Sequence, residues 1–176
     1  DVAAAQIKNE KSVDARLSLA EVLKDSIEEH MADPDNASEE AKTAATALKE
    51  RLVLLYNEII ELEPTKTDAY FGCCELLKAE GKVLEAVAVY CKYPLAPPGV
   101  EAPEGDAMIH GDIVTLLMRD PAKITAEHHE QLGISLTVFA KKNGLSTVED
   151  WLEKLVGVNA FEVCKSVYCG VNGKPA

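Results

Sequence analysis

The sequence predicts an all-α protein built of antiparallel helical hairpins, and three observations support this. Aromatic residues make up only 5% of the 176 residues, whereas alanine, leucine, glutamate and lysine, which favour helices, are abundant. Apolar residues recur at intervals of three and four positions along most of the chain, which places them on one face of a helix. Finally, Tyr56 and Pro64 recur 34 residues later as Tyr90 and Pro98, and this is the period of a helical repeat.

The chain begins with two long predicted helices. The first is marked by apolar residues three, four or seven positions apart: Val13, Leu17, Ala20, Ile27 and Met31. Pro34 ends it, because proline lacks a backbone N–H and disfavours helix in the preceding residue. The second is marked by apolar residues at alternating intervals of four and three: Ala41, Ala45, Leu48, Leu52, Leu55, Ile59 and Leu62. Such a stripe packs along a neighbouring helix, so the two helices should form an antiparallel hairpin.

A second hairpin is predicted to follow. Pro64 closes the second helix, residues 69–79 form a third helix, and residues 84–93 form a fourth that returns alongside it. Gly81 lies between the third and fourth helices, and glycine readily adopts the left-handed conformation that ends a helix. Helical hairpins of this kind commonly present a surface to another protein.

A proline-rich segment separates these hairpins from the rest of the chain. Residues 94–104 hold four of the eight prolines and are predicted to form an extended surface loop. The chain is thus divided into residues 1–93, the loop, and residues 105–176, in which a further hairpin and short helices are expected to pack on the first part. Their apolar residues are Ile109, Ile113, Leu116 and Leu117; Ile124, Leu132, Leu136, Phe139 and Ala140; Val148, Trp151, Leu152 and Leu155; and Phe161, Val163, Cys164 and Val167.

Two further features are predicted for the C-terminal part. The helix of Trp151 is expected to begin with a capping box, in which Ser146 and Glu149 satisfy the first backbone N–H groups. Residues 170–176, which include two glycines and a proline, are expected to form a frayed tail.

The second hairpin resembles a tetratricopeptide repeat. The matching positions in its two helices, its turn and the final proline are Tyr70, Leu77, Gly81, Ala86, Tyr90 and Pro98. The second helix of a preceding repeat is matched by Leu52, Tyr56, Ile59 and Pro64. Cys73 and Cys74 stand where the family has leucine and glycine, so the resemblance is to a degenerate array of roughly one and a half repeats. It implies a short right-handed solenoid or bundle that binds other proteins.

The groove of such a solenoid is predicted at five residues: Tyr70, Glu75, Lys78, Tyr90 and Tyr93. Tyr93 is expected to be the most exposed of the three tyrosines. For Tyr70 and Tyr90 the alternative is packing between helices. Binding of a protein partner along this groove would involve a basic or helical segment, because the chain has 30 acidic but only 18 basic residues.

Charge and hydropathy exclude other classes of partner. The formal charge of −12 repels phosphate backbones and anionic lipid surfaces, so nucleic acid is not expected to bind. No apolar run reaches the roughly 20 residues that span a bilayer, and Glu58 and Glu61 interrupt the best one. The protein is expected to be soluble, with peripheral association through a complex as the closest approach to a membrane.

No catalytic, metal or cofactor site is predicted. His128 and His129 are adjacent, and adjacent residues on a helix point about 100° apart, so they are not expected to bind one metal ion. His30 and His110 stand alone and are expected at surface or capping positions. Cys91 has no histidine near it in the sequence to activate its thiol. An enzyme is therefore only a third hypothesis.

The cysteines and the first residue bear on the cellular compartment. The five cysteines form no CxxC pair and are interpreted as small buried apolar residues. The alternative is a disulfide between Cys164 and Cys169, formed if the last helix unwinds at Gly170, which would indicate an oxidising compartment. The chain starts at Asp1 without a methionine, which fits removal of a targeting peptide and favours an organelle interior over the cytoplasm, although a trimmed chain would look the same.

The leading functional hypothesis is a non-catalytic, tetratricopeptide-like adaptor or assembly factor of a multiprotein complex. The rival hypothesis is a small acidic structural subunit docked on the soluble side of an organellar membrane complex, such as a photosynthetic or respiratory one. Stoichiometry distinguishes them, because a subunit stays with its complex through purification whereas an adaptor exchanges.

Overall fold

The structure, a computed structural model, describes residues 2–33, 35–94, 104–119 and 124–172. These residues form eight α-helices and no β-strand, which confirms the all-α prediction. The chain divides into two compact units, Asp1–Pro94 and Leu95–Ala176. The helices are α1 (Val2–His30), α2 (Glu39–Leu62), α3 (Thr67–Ala79), α4 (Val83–Tyr90), α5 (Glu104–Leu117), α6 (Ala126–Asn143), α7 (Glu149–Gly157) and α8 (Phe161–Val171).

In the N-terminal unit, α1 and α2 form the predicted hairpin. The predicted break at Pro34 lies outside the described residues, and α1 ends at His30. The start of α2 is fixed by Ser38, whose Oγ accepts a hydrogen bond from the backbone N–H of Ala41 at 3.1 Å. Glu39 and Glu40 in the first turn place negative charge at the positive end of the helix dipole.

The central helix of the N-terminal unit is α2, which packs against both α1 and α3. Most of its predicted apolar stripe is buried, and Leu52 and Ile59 are fully enclosed. Tyr56 is also buried and its ring crosses α3 at Gly72, where a Cβ atom would lie only 2.4 Å from Tyr56 Cζ. Glycine is therefore required at position 72 for α2 and α3 to approach this closely.

The second hairpin consists of α3 and α4, joined at Gly81. The backbone of Gly81 has a φ of 74°, so the predicted left-handed turn is confirmed. The fourth helix was predicted to extend to residue 93 but ends at Tyr90, after which the chain turns through Cys91. Within the hairpin, the thiol of Cys74 lies 3.3 Å from the backbone oxygen of Ala86.

In the C-terminal unit, α6 is the central element and packs against α5 and α8. The contact between α6 and α8 is close because each helix contributes a glycine. A Cβ on Gly133 would lie 3.2 Å from Ser166 Oγ, and a Cβ on Gly170 would lie 2.7 Å from Thr137 Cγ2. Gly144, with a φ of 95°, ends α6.

Three predictions for this unit either require correction or concern residues outside the described part of the chain. The capping box predicted at Ser146 is absent, because residues Leu145–Val148 form a 3-10 turn without a side-chain cap. A capping box instead opens α6, between Thr125 and His128. The frayed tail predicted from residue 170 is wrong at its start, because Gly170 belongs to α8, and residues 173–176 lie outside the described part. Most of the predicted proline-rich loop, residues 95–103, likewise lies outside it.

All five cysteines are free thiols. Cys164 and Cys169 both lie within the continuous helix α8, so the alternative disulfide between them is wrong. Cys73, Cys74 and Cys164 are buried, as the main interpretation of the cysteines expected, whereas Cys91 is exposed. Among the described helices, none has both the length and the apolar character needed to cross a membrane.

Candidate functional site

The three tyrosines predicted to line a binding groove are all buried in the N-terminal unit. Tyr70 and Tyr90 are fully enclosed. Tyr93 is the most exposed of the three, as expected, but at 8% it too is buried and does not offer its ring to a partner. The ring of Tyr93 packs edge-on against Tyr70, with the ring centres 5.2 Å apart. Tyr70 Oη donates a hydrogen bond to the backbone oxygen of Pro64 at 2.9 Å, and burial raises the pKa of Tyr70 to about 12. These rings hold the helices together.

The two charged residues of the predicted groove lie on the surface of α3. Glu75 is exposed, Lys78 is half-buried, and the Lys78 ammonium pairs with the Glu75 carboxylate one turn away. The structure therefore separates the five predicted residues into three buried aromatic rings and one surface ion pair. A role for Glu75 and Lys78 in binding a partner stays a prediction.

A surface that the sequence argument did not single out lies on the α1–α2 hairpin. Arg16 Nε on α1 and Glu58 Oε2 on α2 form an ion pair at 2.9 Å. Leu19 lies one turn after Arg16, and Leu54 lies one turn before Glu58. Because the two helices run in opposite directions, these two leucines lie on the same side of the ion pair. Both are exposed.

The exposed apolar residues continue along both helices from this point. Val22 and Ala15 follow and precede Leu19 on α1 by one turn, and Ala47 lies two turns before Leu54 on α2. We call these five residues, Ala15, Leu19, Val22, Ala47 and Leu54, the hairpin face. The larger side chains are 39% (Leu19), 58% (Val22) and 66% (Leu54) exposed, so the face offers apolar surface that no described part of the chain covers.

Exposed charged residues of both signs lie around the hairpin face. Arg51, one turn before Leu54, is exposed and makes no ion pair with the described residues. On the other side of α1, Asp14, Asp25 and Glu28 are exposed acidic residues. The hairpin face is thus an exposed apolar stripe with charged residues of both signs at its edges.

In the C-terminal unit the structure brings together a buried polar cluster that the sequence argument missed. His110, expected at a surface or capping position, is only 3% exposed. Its Nδ1 lies 2.9 Å from Ser135 Oγ, which also accepts a hydrogen bond from Gln131 Nε2 at 3.1 Å. Asp106, one turn before His110, is 2% exposed, and its Oδ1 has no hydrogen-bond partner among the described residues. Burial lowers the pKa of His110, and the Asp106 carboxylate partly opposes this effect.

The remaining candidate groups do not converge on a catalytic or metal site in the described part of the chain. His30 is exposed, and its Nδ1 lies 2.7 Å from the backbone oxygen of Ser26. His128 forms the capping box with Thr125. Among the described residues, no group of three or more histidine, cysteine, aspartate or glutamate side chains could hold a metal ion.

A sequence signal for the buried cluster did exist. Asp106, His110, Ile113 and Leu117 are spaced by four, three and four positions, so both polar residues belong to the apolar stripe of α5 rather than to its polar face.

Comparison of the chain with protein families, curated proteins and solved structures finds no match.

Proposed function

We propose that this protein is a non-catalytic helical scaffold, of tetratricopeptide-like arrangement, that binds another protein. The packing of the N-terminal unit supports this proposal, since α2 packs on α1, α3 on α2, and α4 on α3. In helical repeat proteins each element likewise packs on its neighbours in the chain, and the exposed faces of successive helices serve as binding surfaces.

The observation that carries the proposal is the hairpin face. Leu19, Val22 and Leu54 each leave more than a third of their surface in water, although burying a leucine or valine side chain contributes about 1.5–3 kcal/mol. Clusters of exposed large apolar residues commonly mark protein-binding sites. The partner that fits two antiparallel helices with an apolar stripe between polar edges is an amphipathic helix that lies along them.

The first experiment compares partner capture by three forms of the protein. Wild type, a Leu19→Ser/Leu54→Ser variant and a Leu84→Ser control are each used for affinity capture at moderate salt, followed by mass spectrometry. Leu84 is a suitable control because it is 55% exposed but lies on α4, away from the hairpin face. Loss of two buried leucine contacts at about 1.5 kcal/mol each should weaken binding roughly 100-fold, whereas the control should bind as wild type does.

The same experiment separates the two forms of the hypothesis. A partner set that varies between preparations supports an adaptor, and a partner in fixed ratio supports the structural-subunit alternative. If the double variant and the control retain the same partners, the hairpin face is not the binding site. A Glu75→Ala/Lys78→Ala variant then tests the groove predicted from the sequence. Circular dichroism of each variant shows whether the helices remain folded.

A further inference from the structure

In the buried cluster of the C-terminal unit, a hydrogen bond between His110 and Ser135 joins α5 to α6. Its direction depends on whether the histidine ring is protonated. His110 on α5 and Ser135 on α6 are both buried and are linked by the 2.9 Å contact between Nδ1 and Oγ. The direction of this hydrogen bond depends on the ring, because an imidazole nitrogen donates when protonated and accepts when it is not. The contact between the two helices is thus sensitive to the protonation state of His110.

The second part of the cluster is the carboxylate of Asp106. Within the part of the chain that the structure describes, its Oδ1 is buried without a hydrogen-bond partner, and a buried acceptor without a partner destabilises a fold, the more so when it is charged. Asp106 lies four residues before His110, which places it on the same face of α5 one turn away. Its negative charge therefore acts on the imidazole ring.

We propose that Asp106, His110 and Ser135 form an acid-sensitive switch at the contact between α5 and α6. The switch responds to protonation of the His110 ring. In the neutral tautomer that carries its hydrogen on Nε2, Nδ1 of His110 accepts a hydrogen bond from Ser135 Oγ. When solvent delivers a proton to Nδ1, both ring nitrogens become donors and Nδ1 must donate to Ser135 Oγ. This oxygen then accepts from both His110 and Gln131, and its own hydrogen needs a new acceptor. The net charge of the Asp106–His110 pair changes from −1 to 0, but a cation has been placed in an apolar interior.

The groups that face His110 determine the direction of the response. On its own helix Asp106 favours the imidazolium, whereas Asp112 lies two positions away and on a different face. On α6 the facing groups, Ser135 and Gln131, are uncharged. His128 and Lys142 share that face of α6, but each is seven residues from Ser135, about 10 Å along the helix axis. They cannot hydrogen-bond to the ring, and a positive charge on either disfavours protonation.

Protonation is therefore expected to loosen the C-terminal unit. Burial holds the folded-state pKa of His110 below its usual value of 6.5, so the unfolded state takes up the proton first as pH falls. The stability contributed by neutral His110 is fully present above pH 6.5 and is lost as pH falls from there towards the folded-state pKa. One proton changes the opening equilibrium by at most about tenfold per pH unit.

The direct test is an NMR titration of the four histidine rings in the full chain between pH 8 and pH 4. The expected result is a midpoint for His110 below its usual value of 6.5. Hydrogen exchange of the α5 and α6 amides over the same range should accelerate below pH 6.5, after correction for intrinsic exchange. A midpoint for His110 at or above 6.5 would overturn the proposal, and this result requires no variant.

Two variants assign the effect to the cluster. His110→Gln keeps a side chain that hydrogen-bonds to Ser135 but cannot titrate, so it should remove most of the pH dependence of exchange, whereas a His30→Gln control should retain it. Asp106→Asn removes the charge that favours the imidazolium and should lower the His110 midpoint further. Wild-type pH dependence in His110→Gln, or an unchanged midpoint in Asp106→Asn, would show that these residues do not form the switch.

Discussion

The two units differ in how they accommodate polar groups in the interior. Among the described residues, the three buried side chains of ordinary polar or charged type, Asp106, His110 and Ser135, all belong to the C-terminal unit. The interior of the N-terminal unit instead contains tyrosines and thiols. Burial raises the pKa of Tyr70 and of Cys73, so both stay neutral at physiological pH. Folding of the N-terminal unit should therefore depend on how its interior side chains pack. Folding of the C-terminal unit should depend on packing and also on pH.

The units also differ in how their helices approach one another. In the N-terminal unit a large ring, Tyr56, lies across the single glycine Gly72. In the C-terminal unit, α6 and α8 meet through reciprocal pairs of a glycine and a hydroxyl residue, Gly133 with Ser166 and Gly170 with Thr137. A rigid aromatic ring cannot move away from an added methyl group as a small side chain can. Glycine substitutions should therefore cost more in the N-terminal unit.

The largest effect is expected for Gly72→Ala. The new Cβ would lie 2.4–2.7 Å from Cζ, Oη and Cε2 of Tyr56, and the ring is enclosed on all sides. Alanine gains up to about 1 kcal/mol over glycine within a helix, but overpacking a core costs typically 1–3 kcal/mol and occasionally more. Because three atoms of one rigid ring clash with the new methyl group, we expect overpacking to cost about 4 kcal/mol here. The net loss in the free energy of unfolding of the N-terminal unit, measured by urea denaturation, should then be about 3 kcal/mol.

Gly157→Ala is the matched control for this substitution. Gly157 is also a helical glycine, at the end of α7, but no atom lies within 4 Å of the position its Cβ would take. The free energy of unfolding should therefore stay within about 0.5 kcal/mol of wild type. Equal effects of Gly72→Ala and Gly157→Ala would mean that Tyr56 does not pack across α3 at Gly72.

A smaller effect is expected for Gly170→Ala in the C-terminal unit. Its Cβ would lie 2.7 Å from Thr137 Cγ2 and 3.0 Å from Thr137 Oγ1, and small shifts of the threonine relieve part of this clash. We expect a loss of about 1–2 kcal/mol in the free energy of unfolding of the C-terminal unit. Thermal unfolding followed by circular dichroism, together with hydrogen exchange of α6 and α8, measures it.

A second-site substitution tests whether the clash is the cause. Thr137→Ser removes Cγ2 but keeps Oγ1, which donates to the backbone oxygen of Gly133 at 2.7 Å. It should recover part of the stability lost in Gly170→Ala. Absence of any recovery in the double variant would indicate that the loss comes from a source other than contact between α6 and α8 at this position.

Tyr70→Phe isolates a hydrogen bond within the N-terminal interior. The substitution keeps the ring contact with Tyr93 but removes the donor to the backbone oxygen of Pro64. A hydrogen bond of this kind contributes about 1 kcal/mol, so we expect a loss of that size in the free energy of unfolding. Binding of a partner should not change, because the hydroxyl is enclosed by the protein. A large loss of binding with wild-type stability would instead support the groove predicted from the sequence.

The sequence predicted the helices better than it predicted their exposed faces. The spacing of apolar residues is a local property, and it located α2 and the turn at Gly81 correctly. Exposure of Tyr93 depends on the path of the chain after α4, which turns at Cys91 and places the ring against Tyr70. No regularity in the sequence encodes that turn.

Local sequence patterns were also insufficient for the candidate sites. His110 has no other histidine near it in the sequence, but its spacing from Ile113 and Leu117 places it on the buried stripe of α5. The failed capping box has a local cause, since Thr147 Oγ1 donates to the backbone oxygen of Gly144 and helps to form a 3-10 turn before α7. The hairpin face follows from the pairing of α1 with α2, which the sequence pattern of either helix alone does not define and in which Arg16 and Glu58 form an ion pair.

The smallest effect is expected for the ion pair between Arg16 and Glu58. Its measurement compares an interaction on the surface with those in the interior. Arg16 and Glu58 lie 2.9 Å apart, but their side chains are 32% and 55% exposed, so water and salt screen the attraction. A double-mutant cycle with Arg16→Ala and Glu58→Ala should give a coupling energy of about 0.2–1 kcal/mol in low salt, and less in 1 M NaCl. A coupling above 2 kcal/mol, or one that salt does not reduce, would mean that the pair is shielded from solvent. The hairpin face beside it would then be covered in solution, and the binding surface would have to lie elsewhere.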